Sequence, residues 1–171
     1  MAAYVVQWLS QLPWITYILF LLYIFIAVIK SIIPFVNLNF LYFGKTFYSI
    51  SFVYELILFT SYSKALENHY LRTNYLICLL TGSSLIFIVS HLNICRIRYL
   101  SRSFVFYLVC LFNNYAYPNG RTIFLPGIII KNKYMTGIWI FVSHIFRVFE
   151  WSEFFLGIFV AYLFNKMKYY L

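Results

Sequence analysis

Four glutamates, three histidines and two adjacent serines are the residues of this chain with chemistry to offer. Glu55 is the acid set deepest in an apolar run, Ile50 to Phe59. A carboxylate at membrane depth is costly and usually faces a bundle interior or a water-filled cavity. It reads either as the lining of a polar path or as a hydrogen-bond partner of a neighbouring helix. Thr81-Gly82-Ser83-Ser84 and His144 would supply the nucleophile and base of an intramembrane serine protease if two helices brought them together. No glycine follows the serines in the G-x-S-G manner, and small residues in a membrane helix more often serve close packing. His69 and His91 stand singly. Cys78, Cys95 and Cys110 form neither a CxxC pair nor a disulfide framework. There is no glycine-rich phosphate loop, so no metal, cofactor or complete enzyme site is expected.

The elements that must position these groups are apolar. Of 171 residues, 64% are hydrophobic, 24% aromatic and only 10% charged. A soluble domain carries about a quarter charged residues. A bilayer accepts apolar side chains on the outside of a fold, which points to an integral membrane protein. The net charge is +9, yet the basic residues lie scattered between apolar runs and make no nucleic-acid patch. Anionic lipid headgroups are the better partner for such loops. The first charge is Lys30, so the basic start of a cleavable signal is missing.

The distances between charges divide the chain into six spans: 14–33, 46–63, 74–92, 103–112, 134–149 and 154–166. A polar loop, Lys64 to Thr73, is expected between the second and third. A longer connection, Asn113 to Lys133, is expected between the fourth and fifth, with an apolar stretch, Thr122 to Ile130, that dips into the interface. Lys133 and Arg147 bracket 13 uncharged residues, and Glu153 and Lys166 bracket 12. At 1.5 Å per residue these cover only about 18–20 Å, short for a bilayer of about 30 Å. Such helices are either buried within the bundle or thin the bilayer locally. Loop charges divide seven to six between the two sides, so the positive-inside rule barely chooses an orientation. Gly157-x-x-x-Ala161, and Gly82, are expected at helix contacts. No repeat or separate soluble domain interrupts residues 1–171.

The pattern Tyr62-Ser63-x-x-Leu66-Glu67, followed by Arg72-x-Asn74-Tyr75-Leu76, resembles the Y-S-x-x-L-E … R-x-x-D-Y-L core of the Derlins, rhomboid-like pseudoproteases of the endoplasmic reticulum. Trp8-Leu9-x-x-Leu12-Pro13-x-Ile15-Thr16 looks like their W-F-x-x-I-P-x-I-T opening, and Pro118 … Phe124 … Tyr134 loosely follows their N-P … F-G … Y-L-P-W stretch. The chain departs from the family at several places. Glu55 stands where the family has Asn, Asn74 replaces its Asp, and Ala161-Tyr162 replaces its Gly-His. The Trp-Arg pair before the second span and the tail that binds an extraction ATPase are missing.

The resemblance implies an all-α, six-helix rhomboid-like membrane bundle without protease activity. Its implied work is retrotranslocation of misfolded lumenal proteins. Its implied partners are those clients, a membrane ubiquitin ligase complex, the lipid bilayer and other Derlins, as homo- or hetero-oligomers. Its implied place is the endoplasmic reticulum membrane, or a plastid-surrounding membrane that uses a relocated Derlin system. On this view Glu55, Asn113, Asn114 and Arg147 hydrate a path for the moving chain. A serine protease and a small organelle-membrane transporter or assembly subunit are the alternative classes.

Overall fold

The computed structural model describes residues 7, 10–32, 50–92, 100–125, 127–146 and 149–167. The chain is mostly helical. Among the described residues it forms α1 (Trp14–Ile32), α2 (Ile50–His69), α3 (Arg72–His91), α4 (Leu100–Cys110), α5 (Asn132–Ile145) and α6 (Trp151–Met167). A π-helical segment, Leu111–Ala116, prolongs α4. Two strands, β1 (Arg121–Leu125) and β2 (Ile128–Lys131), pair antiparallel as a hairpin ahead of α5.

The order of helices follows the expected apolar runs, with two corrections. Lys64 to His69 is not loop but the last turns of α2. Lys64, Ala65, Leu66 and Glu67 all favour helix, and Leu66 and Glu67 are buried. Only Tyr70 and Leu71 separate α2 from α3. The expected connection after Phe112 is also structured. Asn113 and Asn114 lie in the π-helical segment, and of the stretch from Thr122 to Ile130 the described residues, 122–125 and 127–130, lie in the hairpin. Gly127 takes φ +85° at its tip, a conformation glycine reaches without steric cost. Asn132 ties the hairpin base: its side-chain amide donates to the Tyr117 carbonyl at 3.0 Å and accepts from Thr122 Oγ1 at 2.6 Å.

α4 is the centre. From Val105 to Leu111 every residue is at most 1% exposed, which suits a helix hydrophobic all round. α2, α3 and α6 pack on it, while α1 packs against α2. The contact pairs give directions. Glu55 meets Ser101 and Tyr62 meets Asn113, so α2 and α4 run parallel. Arg102 meets Glu153 and Tyr107 meets Phe164, so α6 runs with them. α1, α3 and α5 run the other way, as Thr16 with Glu67, Tyr75 with Ser63 and Ser143 with Tyr54 show. Large apolar side chains stand on the outside: Leu21, Leu22 and Phe25 on α1, Ile77 and Leu80 on α3, and Phe155 and Phe159 on α6 are exposed. By length and composition, α3 is the one described helix able to cross a membrane; Trp14–Ile29 is a shorter apolar stretch.

Glycines set the closest approaches to α4. A Cβ on Gly157 would fall 2.6 Å from the Ser103 carbonyl oxygen and 2.9 Å from the Tyr107 nitrogen. One on Gly82 would fall 2.3 Å from the Tyr107 ring. Ala161, one turn beyond Gly157, is fully buried. Backbone cannot yield as a side-chain tip can, so Gly157→Val should destabilise the bundle by about 1–3 kcal/mol. Gly137→Val is the control, because nothing lies within 4 Å of the added Cβ there. Thermal unfolding in detergent micelles should show a lowered midpoint for Gly157→Val alone; equal midpoints would refute the packing account.

Candidate functional site

Because α2, α4 and α6 run parallel, their first turns lie at one end of the bundle. Glu55, Ser101 with Arg102, and Glu153 therefore meet there. All are buried, and the two glutamates are fully so. Arg102 Nε lies 3.6 Å from Glu55 Oε2, and Arg102 Nη1 lies 3.6 Å from Glu153 Oε2. Ser101 Oγ donates to Glu55 Oε1 at 3.0 Å. The Glu150 amide donates to Glu153 Oε2 at 3.0 Å, and the Tyr23 phenol of α1 lies against Glu55. The guanidinium also stands over the Phe149 ring, 5.3 Å from its centroid.

The charges of this cluster can be added up. Two carboxyl groups share one guanidinium, so the buried cluster is neutral when one of them carries its proton. The arginine is held by these acids and by the Phe149 ring.

A second polar cluster closes the opposite end. Glu67, in the last turn of α2, accepts from the amides of Ile15 and Thr16 at 3.0 and 2.7 Å and from Thr16 Oγ1 at 2.7 Å. These amides belong to the first turn of α1, whose donors have no partner within their own helix. Thr16 Oγ1 lies 3.3 Å from Ser63 Oγ, which shares a short hydrogen bond with the Tyr75 hydroxyl of α3. Tyr62, Ser63, Leu66, Glu67 and Tyr75 are all buried here, whereas Arg72 and Asn74 are exposed. Glu67 and Arg72, close in sequence across the α2–α3 turn, form no ion pair, because the carboxylate is used by α1.

A third group joins α5 to the bundle. Tyr62 Oη accepts from Trp139 Nε1 at 2.6 Å and from Asn113 Nδ2 at 3.1 Å. Tyr54 and Ser143 hydroxyls share a bond of 3.0 Å. Asn114 accepts from Thr136 Oγ1 at 3.3 Å and donates to Cys110 Sγ at 3.3 Å.

The residues expected to hydrate one path are therefore not brought together. Glu55 belongs to the charged end, Asn113 to the Tyr62 node and Asn114 to the α5 contact; Arg147 lies outside the described residues. The other possible role for Glu55, a bond to a neighbouring helix, is the one its geometry displays. Nor do the serines meet the histidine. Ser83 Oγ donates to the Leu80 carbonyl of its own helix at 3.1 Å, and the His144 ring rests on Trp151, 4.8 Å between centroids. No group of three or more potential metal ligands occurs among the described residues.

Sequence reasoning missed Arg102 and Glu153 as partners of Glu55, and Thr16 as the partner of Glu67. The available signal was electrostatic. With so few acids in an apolar chain, a buried carboxylate needs a nearby cation, and Arg102 begins the span after next. Comparisons with protein families, with curated proteins and with solved structures yield no match to this chain.

Removing one partner of a buried charged group costs about 3–5 kcal/mol, whereas replacing the whole group by neutral residues is often harmless. Arg102→Leu should thus lower stability by about that amount. The triple variant Glu55→Gln/Arg102→Leu/Glu153→Gln should recover most of the loss. Unfolding in mixed micelles with rising denaturing detergent measures both; a triple variant as unstable as the single one would exclude the charge-balance account.

Proposed function

We propose that this chain is a non-proteolytic, Derlin-like component of protein quality control in the endoplasmic reticulum membrane. In this role it helps misfolded lumenal proteins cross toward cytosolic ubiquitination. The observation that carries the reading is the Glu67 cluster. Of the buried residues of the Derlin-like motif, Ser63, Glu67 and Tyr75 tie α1, α2 and α3 together, and Thr16 of the similar N-terminal segment is the direct partner of Ser63 and Glu67. Segments far apart in the chain that resemble one family thus meet in one cluster.

Three further features support a membrane role. Large apolar side chains stand exposed on α1, α3 and α6 while Glu55, Arg102 and Glu153 are buried, the arrangement a lipid solvent favours. α5 has 14 residues, about 21 Å of helix, well short of a bilayer core of about 30 Å. Ile123 and Ile129 face each other across the hairpin and are exposed, which suits an apolar stretch resting in the interface. Short helices thin the bilayer and so lower the cost of moving unpaired backbone through it.

α5 is the helix best placed to move. It packs closely only on the π-helical segment and β2, and it reaches α2 through the Tyr54–Ser143 and Trp139–Tyr62 side-chain bonds. On this proposal the client enters between α2 and α5. Tyr54→Cys/Ser143→Cys, bridged by a thiol-reactive crosslinker, should lengthen the half-life of a misfolded lumenal client while the protein's own abundance stays level. Pull-down from native membranes should recover a ubiquitin ligase. Client turnover that ignores both the bridge and loss of the protein would overturn the reading.

The six-span arrangement puts the N-terminus, the α2–α3 turn and the C-terminus on the cytosolic side. A cysteine introduced at exposed Asn68 and tags at both termini should all react with an impermeant reagent from that side. Labelling of the termini from opposite sides would exclude it.

A further inference from the structure

An apolar groove of about 340 Å³ opens between α1 and α3, with α4 as its floor. Leu19 and Ile26 wall it on one side, Leu76, Ser83 and Ile86 on the other, and Phe104 lies beneath. Leu76, Ser83 and Ile86 recur at spacings of seven and three, one stripe of a helix. Extended by one turn, that stripe begins at Arg72, the first residue of α3.

Arg72 is exposed and has no ion pair. The acids of this chain are occupied or distant. Glu67 is bound to the first turn of α1, Glu55 and Glu153 to Arg102, and Glu150 lies at the far end of the bundle, ahead of α6. Among the described residues no acidic side chain is therefore left for Arg72, and an anion from outside the chain can take that place. Trp14, the first residue of α1, is also exposed and stands at the same end as Arg72. An indole and a basic residue at one level are what the headgroup zone of a bilayer selects.

We propose that the α1–α3 groove binds one anionic phospholipid, its acyl chain along the stripe and its phosphate on Arg72. The inference rests on the membrane-embedded reading above. The groove supplies a dry wall for hydrocarbon and Arg72 supplies the charge at its mouth, so chain and headgroup are recognised by different residues.

The full-length protein, extracted and purified in detergent, is titrated with phosphatidylglycerol and with phosphatidylcholine and examined by native mass spectrometry. The anionic lipid should be retained about fivefold better, the worth of one basic side chain at an anionic surface. Arg72→Gln should remove that preference while leaving chain binding intact. Ser83→Phe, which fills the groove, should reduce retention of both lipids, with circular dichroism confirming an unchanged helix content. Equal retention of both lipids by the parent protein, or retention that neither substitution alters, overturns the proposal. So does a lipid-free dimer that crosslinks through α1 and α3, which would make the groove a helix-docking site. A protein that needs no detergent fails the membrane reading instead, and the two failures are thereby told apart.

Discussion

The guanidinium of Arg102 is the constraint on which the bundle depends. It holds carboxylates from α2 and α6 where all three side chains are buried. Charged groups so buried are tolerated only when paired. The cluster therefore selects the register of three parallel helices at once: sliding α2 or α6 along α4 by one residue would strand a charge. Apolar packing alone has no such discrimination, since most hydrophobic faces accept several registers at similar energy.

From that anchor the remaining geometry follows by close packing. Gly157 brings α6 onto the α4 backbone and Gly82 admits the Tyr107 ring against α3. Tyr107 in turn donates to the Cys78 carbonyl at 2.9 Å, so its buried hydroxyl is satisfied. At the other end of the bundle the Glu67 carboxylate takes up amides that α1 leaves unpaired. Charge pairing at one end and helix capping at the other take no part of α5, which is held by the π-helical segment, by β2 and by side-chain hydrogen bonds to α2.

The two polar clusters both turn their charge inward, and large apolar side chains stand exposed on α1, α3 and α6. Arg72 is different: it is exposed and lies one helical turn ahead of Leu76, a residue of the groove wall.

The apolar runs and the spacing of charges determined by themselves where the helices lie, because burial of apolar surface and helix length are properties of contiguous sequence. Glycine at 157 was legible as a packing residue for the same reason. The end of α2 was not legible, since Lys64 to His69 reads as polar loop until Ser63 and Glu67 are seen to face inward together. The partners of Glu55 were hidden as well. Arg102 looked like a loop charge and Glu153 like a boundary, and only the parallel course of α2, α4 and α6 brings them within 3.6 Å. The same holds for Asn113 and Asn114, which share a segment but point to different helices. A sequence records which groups are polar. Which of them meet depends on helix direction and rotation, and those are settled only when every helix is packed against the others.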